Sequence, residues 1–224
     1  MYWTLFIIIA LASWIVGAVL EHRFKKYSEV GIGLTGREVA EKMLRDNGIT
    51  DVQVTCTPGH LTDHYNPTTK TVNLSESVYR SANVAAAAVA AHECGHALQH
   101  ATAYAPLRMR SALVPAVNFA SKWVTWVLLG GILLIEVFPQ LLVAGVILYA
   151  LTTLFSFITL PVEINASRRA VQWLEIAGIT DRSTTPMAAS ALRSAAYTYV
   201  VAALASLGTL IYYVLILVGR RDSS

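Results

Sequence analysis

The chain has 224 residues, of which 55% are hydrophobic and only 14% charged, with a formal net charge of +3. Charged residues usually make up about 25% of a soluble chain, so a soluble globular domain is excluded, as are disorder and a collagen-like repeat. Two cysteines, Cys56 and Cys94, cannot build a disulfide scaffold. The 17 Lys+Arg form no basic stripe with interleaved aromatics, so no nucleic-acid partner is expected.

Tyr2 to Leu20 is a run of 19 residues without a charge, close to the length of about 20 that spans a bilayer. Glu21, His22, Arg23, Lys25 and Lys26 follow it. A cleaved signal peptide carries its charges before the apolar run, so the order here predicts an uncleaved anchor over 1–20. Residues 21–115 form a polar region. Thr35 with Glu38 makes a capping box for a helix carrying Val39, Met43 and Leu44, and Gly48 suits its C′ position. Val52, Val54 and Cys56 alternate as in a half-buried strand. Asp63–Tyr65 and Thr71–Leu74 flank the turn residues 66–70 and read as a hairpin. Ser75 is placed to cap a short helix through Arg80. Asn83 to Thr102 is a helix of strong formers.

Three further spans follow. The second has its core at Trp123–Ile135 and reaches Phe138, with Pro139 marking a turn. The third runs from Leu141 to Val162 and closes at Pro161. The fourth is the uncharged run Ser194–Gly219. If the second segment were only re-entrant, the count would be three. The blocks are therefore 1–20, 21–115, 116–162, 163–193, 194–219 and a tail at 220–224. Residues 21–122 and 163–193 carry fifteen of the 17 Lys+Arg. The positive-inside rule places them in the cytoplasm.

Within the Ala-rich helix lies His92-Glu93-Cys94-Gly95-His96, the H-E-x-x-H pattern. Residues four apart on a helix sit about 40° apart around its axis, so both imidazoles can hold one Zn2+. Glu93 can then reach a metal-bound water as general base. Catalytic zinc takes three protein ligands. A metzincin pattern would need Gly and His where Gln99 and Thr102 stand. His100 lies about 12 Å along the axis from His92 and cannot share the ion. Glu163 is the main candidate, because a carboxylate at a membrane boundary needs a partner. Glu175 and Glu76 are weaker alternatives, and the rival for Glu163 is an ion pair with Arg168 or Arg169. Cys94 faces away from the two histidines and reads as a small core residue. The expected fold class is a mainly α integral membrane protein with a small α+β zincin-like cytoplasmic region.

The chain resembles the YugP-like family of bacterial membrane zinc metallopeptidases over nearly its whole length. The resemblance rests on the anchor, Asp63-His64-Tyr65-Asn66-Pro67, Leu74-Ser75-Glu76-Ser77-Val78-Tyr79, Ala90 through Ala97, Leu160-Pro161-Val162-Glu163, and Ala166-Ser167-Arg168-Arg169-Ala170. It is similar in layout to the HtpX-like and CAAX-protease-like gluzincins. The resemblance implies His92, His96 and Glu163 as ligands and Glu93 as base. The HtpX-like enzymes have Asp where this chain has Ser167. Zincins add the substrate backbone to an edge strand, and Val72–Leu74 is the candidate. His64, Arg168 and Arg169 are candidates for substrate or transition-state contact.

The leading expectation is a membrane-anchored zinc metalloendopeptidase acting on membrane-associated or unfolded proteins, with its site facing the cytoplasm. An intramembrane site-2-type protease is disfavoured, since the run before His92 is short and weakly apolar. The alternative from another class is a zinc-stabilised, non-catalytic membrane adaptor. Gly130, Gly131, Gly145 and Gly208 permit close helix contact, including in a homo-oligomer.

Overall fold

A computed structural model describes residues 2–221. It contains seven helices and three strands in the order α1 (Tyr2–Ser28), α2 (Gly36–Asp46), β1 (Gln53–Thr57), β2 (His64–Asn66), β3 (Thr71–Ser75), α3 (Glu76–Tyr79), α4 (Val84–Ala101), α5 (Ala105–Leu133), α6 (Pro139–Ile176) and α7 (Thr185–Arg221). Among the described residues, α1, α5, α6 and α7 are long and apolar enough to cross a membrane. Their side chains include Trp3, Trp14, Trp123, Trp126 and Ile147, all exposed. In water such surface would associate; against lipid it has its solvent.

The chain divides into two compact units. One comprises Met1–Trp14, Met109–Leu160 and Tyr199–Ser224; the other comprises Ile15–Arg108 and Pro161–Thr198. In the first, α5 and α6 approach closely. A Cβ on Gly131 would meet Leu142 Cα at 2.6 Å, and one on Gly145 would meet Leu128 Cδ2 at 2.8 Å. These glycines therefore serve contacts within the chain.

The second unit contains the sheet. Thr35 caps α2: its side chain accepts from the Glu38 N–H, and the Glu38 carboxylate accepts from the Thr35 N–H at 2.7 Å. Gly48, at φ +69°, follows the helix end in the left-handed region that favours glycine. Val39, Ala40, Met43 and Leu44 bury one face of α2. The strand order is β1-β3-β2, with β1 parallel and β2 antiparallel to β3. Val72 and Leu74 are fully buried, so the expected edge strand is instead the middle one, and β2 lies at an edge. Cys56, expected on the buried face of β1, is exposed. Ser75 does not cap α3 through its side chain; its Oγ donates to Asp63 Oδ2 at 3.0 Å. Asn83 caps α4, accepting from the Ala86 N–H at 2.9 Å.

The expected close of the third span at Pro161 fails: α6 continues through it to Ile176, and α7 begins at Thr185. An interior proline costs roughly 3 kcal/mol. Beyond it, however, Val162, Ala166, Ala170 and Leu174 recur every fourth residue and are fully buried. Burying Val and Leu side chains contributes roughly 1.5–3 kcal/mol each, which offsets the proline. A periodic apolar stripe thus outweighs one local helix breaker.

The stripe meets α4 at Gly95. A Cβ there would lie 2.7 Å from the Ala166 carbonyl oxygen, a backbone atom that cannot turn aside. Alanine would gain up to about 1 kcal/mol in helix propensity, but overpacking of this kind costs about 1–3 kcal/mol. Gly95→Ala is therefore expected to lower the thermal unfolding midpoint of the detergent-solubilised protein, read by near-ultraviolet circular dichroism. Gly33→Ala, where a Cβ meets open space, is expected to leave it almost unchanged.

Candidate metal centre

Residues four apart on α4 place His92 and His96 on one face, with ring centroids 4.8 Å apart. The α4–α6 contact at Gly95 then brings Glu163, on the first turn after Pro161, against both rings. Glu163 Oε2 lies 3.2 Å from His92 Nε2 and 3.6 Å from His96 Nε2. One ligand atom from each of the three residues falls within 4.8 Å of the others. Donor atoms about 2.0–2.1 Å from one tetrahedral zinc lie about 3.3 Å from each other, and the two Glu163 distances bracket that value. The donor set, two imidazoles and a carboxylate, suits zinc chemically. The site is well shielded, with side-chain exposures of 15% for His92, 12% for His96 and 5% for Glu163.

The outward ring nitrogens are also engaged. His92 Nδ1 lies 3.1 Å from Ser167 Oγ, so Ser167 stands beside the histidine even without a carboxylate. His96 Nδ1 lies 3.1 Å from Gln99 Oε1. Burial opposes a charge on His96, but Glu163 and Glu93 more than offset it, and its pKa is raised above the usual imidazole value. The cluster therefore attracts positive charge.

Glu93 is largely buried. Its Oε2 accepts from the Tyr65 backbone N–H at 3.0 Å, so edge strand β2 holds the carboxylate. Tyr65 Oη in turn lies 3.3 Å from His100 Nδ1. His100 is exposed and stands apart from the three-residue cluster.

The remaining sequence candidates fall elsewhere. His64 has both ring nitrogens engaged: Nδ1 lies 2.7 Å from the Thr62 carbonyl oxygen, and Nε2 lies 3.2 Å from Asn73 Nδ2. Arg168 is exposed. Arg169 donates through Nε to Asn165 Oδ1 at 2.8 Å, and its guanidinium lies over the Tyr104 ring at 5.9 Å. Glu76 pairs with Arg80 at 3.2 Å. Two polar residues beside the site were not picked out in the sequence, Gln99 and Asn165. Gln99 is fully buried, and a lone glutamine three residues after His96 in an Ala-rich helix was the available signal.

The profile of a family described as "Putative neutral zinc metallopeptidase" matches residues 2–218. The chain belongs to this family. It is also 43% identical over 207 residues to the "Putative membrane protease YugP" of Bacillus subtilis (strain 168), covering 92% of this chain and 91% of that protein. No solved structure matches the chain. Family membership implies zinc and a peptidase role, and the His92–His96–Glu163 cluster is a group that can hold the ion.

Cys94, inside the motif, points away from that cluster. It is 1% exposed, its Sγ lies 3.6 Å from the Ala40 carbonyl oxygen of α2, and burial pushes its thiol pKa up. Iodoacetamide is expected to alkylate Cys56 alone in the folded protein, and both cysteines after denaturation. Mass spectrometry of the peptides reads this directly.

Proposed function

We propose that the chain is a multi-pass membrane zinc endopeptidase of the gluzincin type, acting on peptide bonds of membrane-associated or unfolded proteins. The observation that carries this reading is the buried His92–His96–Glu163 cluster with Glu93 one residue along the same helix. A zinc ion bound there supplies Lewis acidity and lowers the pKa of a bound water towards about 7. His92 and His96, through Nε2, and Glu163, through Oε2, are the proposed ligands.

Glu93 is the proposed general base. The Tyr65 N–H engages its Oε2, which leaves Oε1 to accept the proton of the attacking water and return it to the leaving amine. A carboxylate oriented this way has no use in a zinc-stabilised adaptor, whose metal would close with a fourth protein ligand. That contrast favours the catalytic reading. Edge strand β2, which positions Glu93, is the proposed docking edge for an extended substrate backbone. Glu163 follows directly on the apolar run Leu141–Val162, which favours substrates presented close to the bilayer. The cation distribution favours a cytoplasmic orientation of the polar regions, with both termini opposite.

The test is cleavage of an unfolded reporter protein by the detergent-solubilised chain, with bound zinc quantified. Glu93→Gln is expected to retain one zinc per chain and lose about 10²–10⁴-fold in rate. Glu163→Ala is expected to lose both zinc and cleavage. Undiminished cleavage by Glu93→Gln would contradict the assignment of the base.

A further inference from the structure

Gln99 sits in a chain of hydrogen bonds whose polarity is fixed from one end. The Arg169 guanidinium can only donate, so the Asn165 side-chain atom it meets at 2.8 Å is the carbonyl oxygen Oδ1. That oxygen also receives the Gln99 amide nitrogen Nε2, at 3.0 Å. The same nitrogen donates to the Val162 backbone carbonyl at 2.8 Å, and a carbonyl can only accept. Both amide protons of Gln99 are thereby committed. Its Oε1 is left as a pure acceptor, 3.1 Å from His96 Nδ1. His96 must then carry a proton on Nδ1, which makes Nε2, 3.6 Å from Glu163 Oε2, the nitrogen whose lone pair is available to a metal.

The two histidines differ in this respect. His92 Nδ1 meets a hydroxyl, Ser167 Oγ, which can donate or accept. Ser167 therefore does not select a tautomer for His92, whereas the relay selects one for His96.

We propose that Arg169, Asn165 and Gln99 form a positioning relay that holds His96 in the Nδ1–H tautomer and aims its Nε2 at the metal. This rests on the reading of His92, His96 and Glu163 as ligands. It gives Arg169 a role directed away from the substrate. The cost of an unmade bond enforces the relay: Gln99 is fully buried, and an amide left unsatisfied there would lose its water without a replacement partner. The helix continuing past Pro161 contributes the Val162 carbonyl, Asn165 and Arg169, so Gln99's partners and the proposed third ligand come from the same two turns of α6.

The test is zinc affinity of the full detergent-solubilised chain by chelator competition, with ¹⁵N-histidine NMR of the metal-free protein, at a pH alkaline enough for His96 to be neutral, as a readout of tautomer. Asn165→Leu is expected to weaken zinc binding about 10–100-fold and to let the His96 proton distribute over both nitrogens. Asn165→Asp keeps an acceptor for both donors and is expected to restore the affinity and the Nδ1–H signal. Arg169→Met removes only the outer donor and is expected to give a smaller loss of the same sign. It also serves if Asn165→Leu does not fold. Cys94→Ala, buried on the opposite face, is expected to leave affinity and tautomer unchanged. Zinc binding by the parent with no change of affinity or tautomer in Asn165→Leu and Arg169→Met would overturn the relay and leave the ligand set standing. Loss of affinity equal in Asn165→Leu and Asn165→Asp, with the tautomer unmoved, would reduce these residues to packing. A parent whose zinc affinity is unaffected by His92→Ala would overturn ligand set and relay together.

Discussion

The site depends on one backbone contact, the crossing of α4 and α6 at Gly95 and Ala166. Neither helix can hold a catalytic metal alone. α4 supplies two imidazoles at adjacent turns, and the proposed third ligand, Glu163, lies 67 positions further along the sequence than His96. The missing Cβ at Gly95 lets the Ala166 carbonyl come within what would be 2.7 Å of it. That close approach sets the separation at which Glu163 Oε2 reaches both histidines. The same approach brings Val162 and Asn165 to Gln99, so the proposed ligand geometry and ligand orientation share one cause.

Maintaining that crossing requires α6 to remain helical beyond a proline. The stripe Val162, Ala166, Ala170 and Leu174 supplies the reason, since its burial exceeds the local cost of Pro161. A small residue on the stripe, Ala166, allows the close approach to Gly95. Function here takes advantage of a helix that serves two environments. Its first part is apolar enough for lipid, and its last turns carry the polar groups of the site.

The sequence was readable where the determining interactions are local. The capping box at Thr35 and Glu38, the turn at Gly48, the Asn83 cap and the His92/His96 pair all involve residues within four positions, and each is found as expected. The place of Glu163 beside the histidines was readable for a different reason: a carboxylate ending an apolar run needs a partner, and the histidine pair was preferred to Arg168 or Arg169. Non-local pairing escaped. Val72–Leu74 has the alternation of an edge strand, but β1 crosses over to pair with β3 in parallel and puts it in the middle. Gln99 and Asn165 meet across 66 positions. No spacing rule announces such a bond, and only the oddity of a buried glutamine hints at it. Pro161 misled because a helix-breaking rule is local, whereas the stripe that overrides it acts through tertiary contact.

The proposed centre holds one zinc between two imidazoles and a carboxylate where α4 meets α6. The most direct measurement is the zinc K-edge X-ray absorption spectrum of the loaded, detergent-solubilised chain. Nitrogen and oxygen scatterers only are expected, at about 2.0–2.1 Å, with the outer-shell pattern of two imidazoles. A sulfur scatterer near 2.3 Å, which only Cys56, Cys94 or a methionine could supply, or the absence of an imidazole pattern, would contradict it.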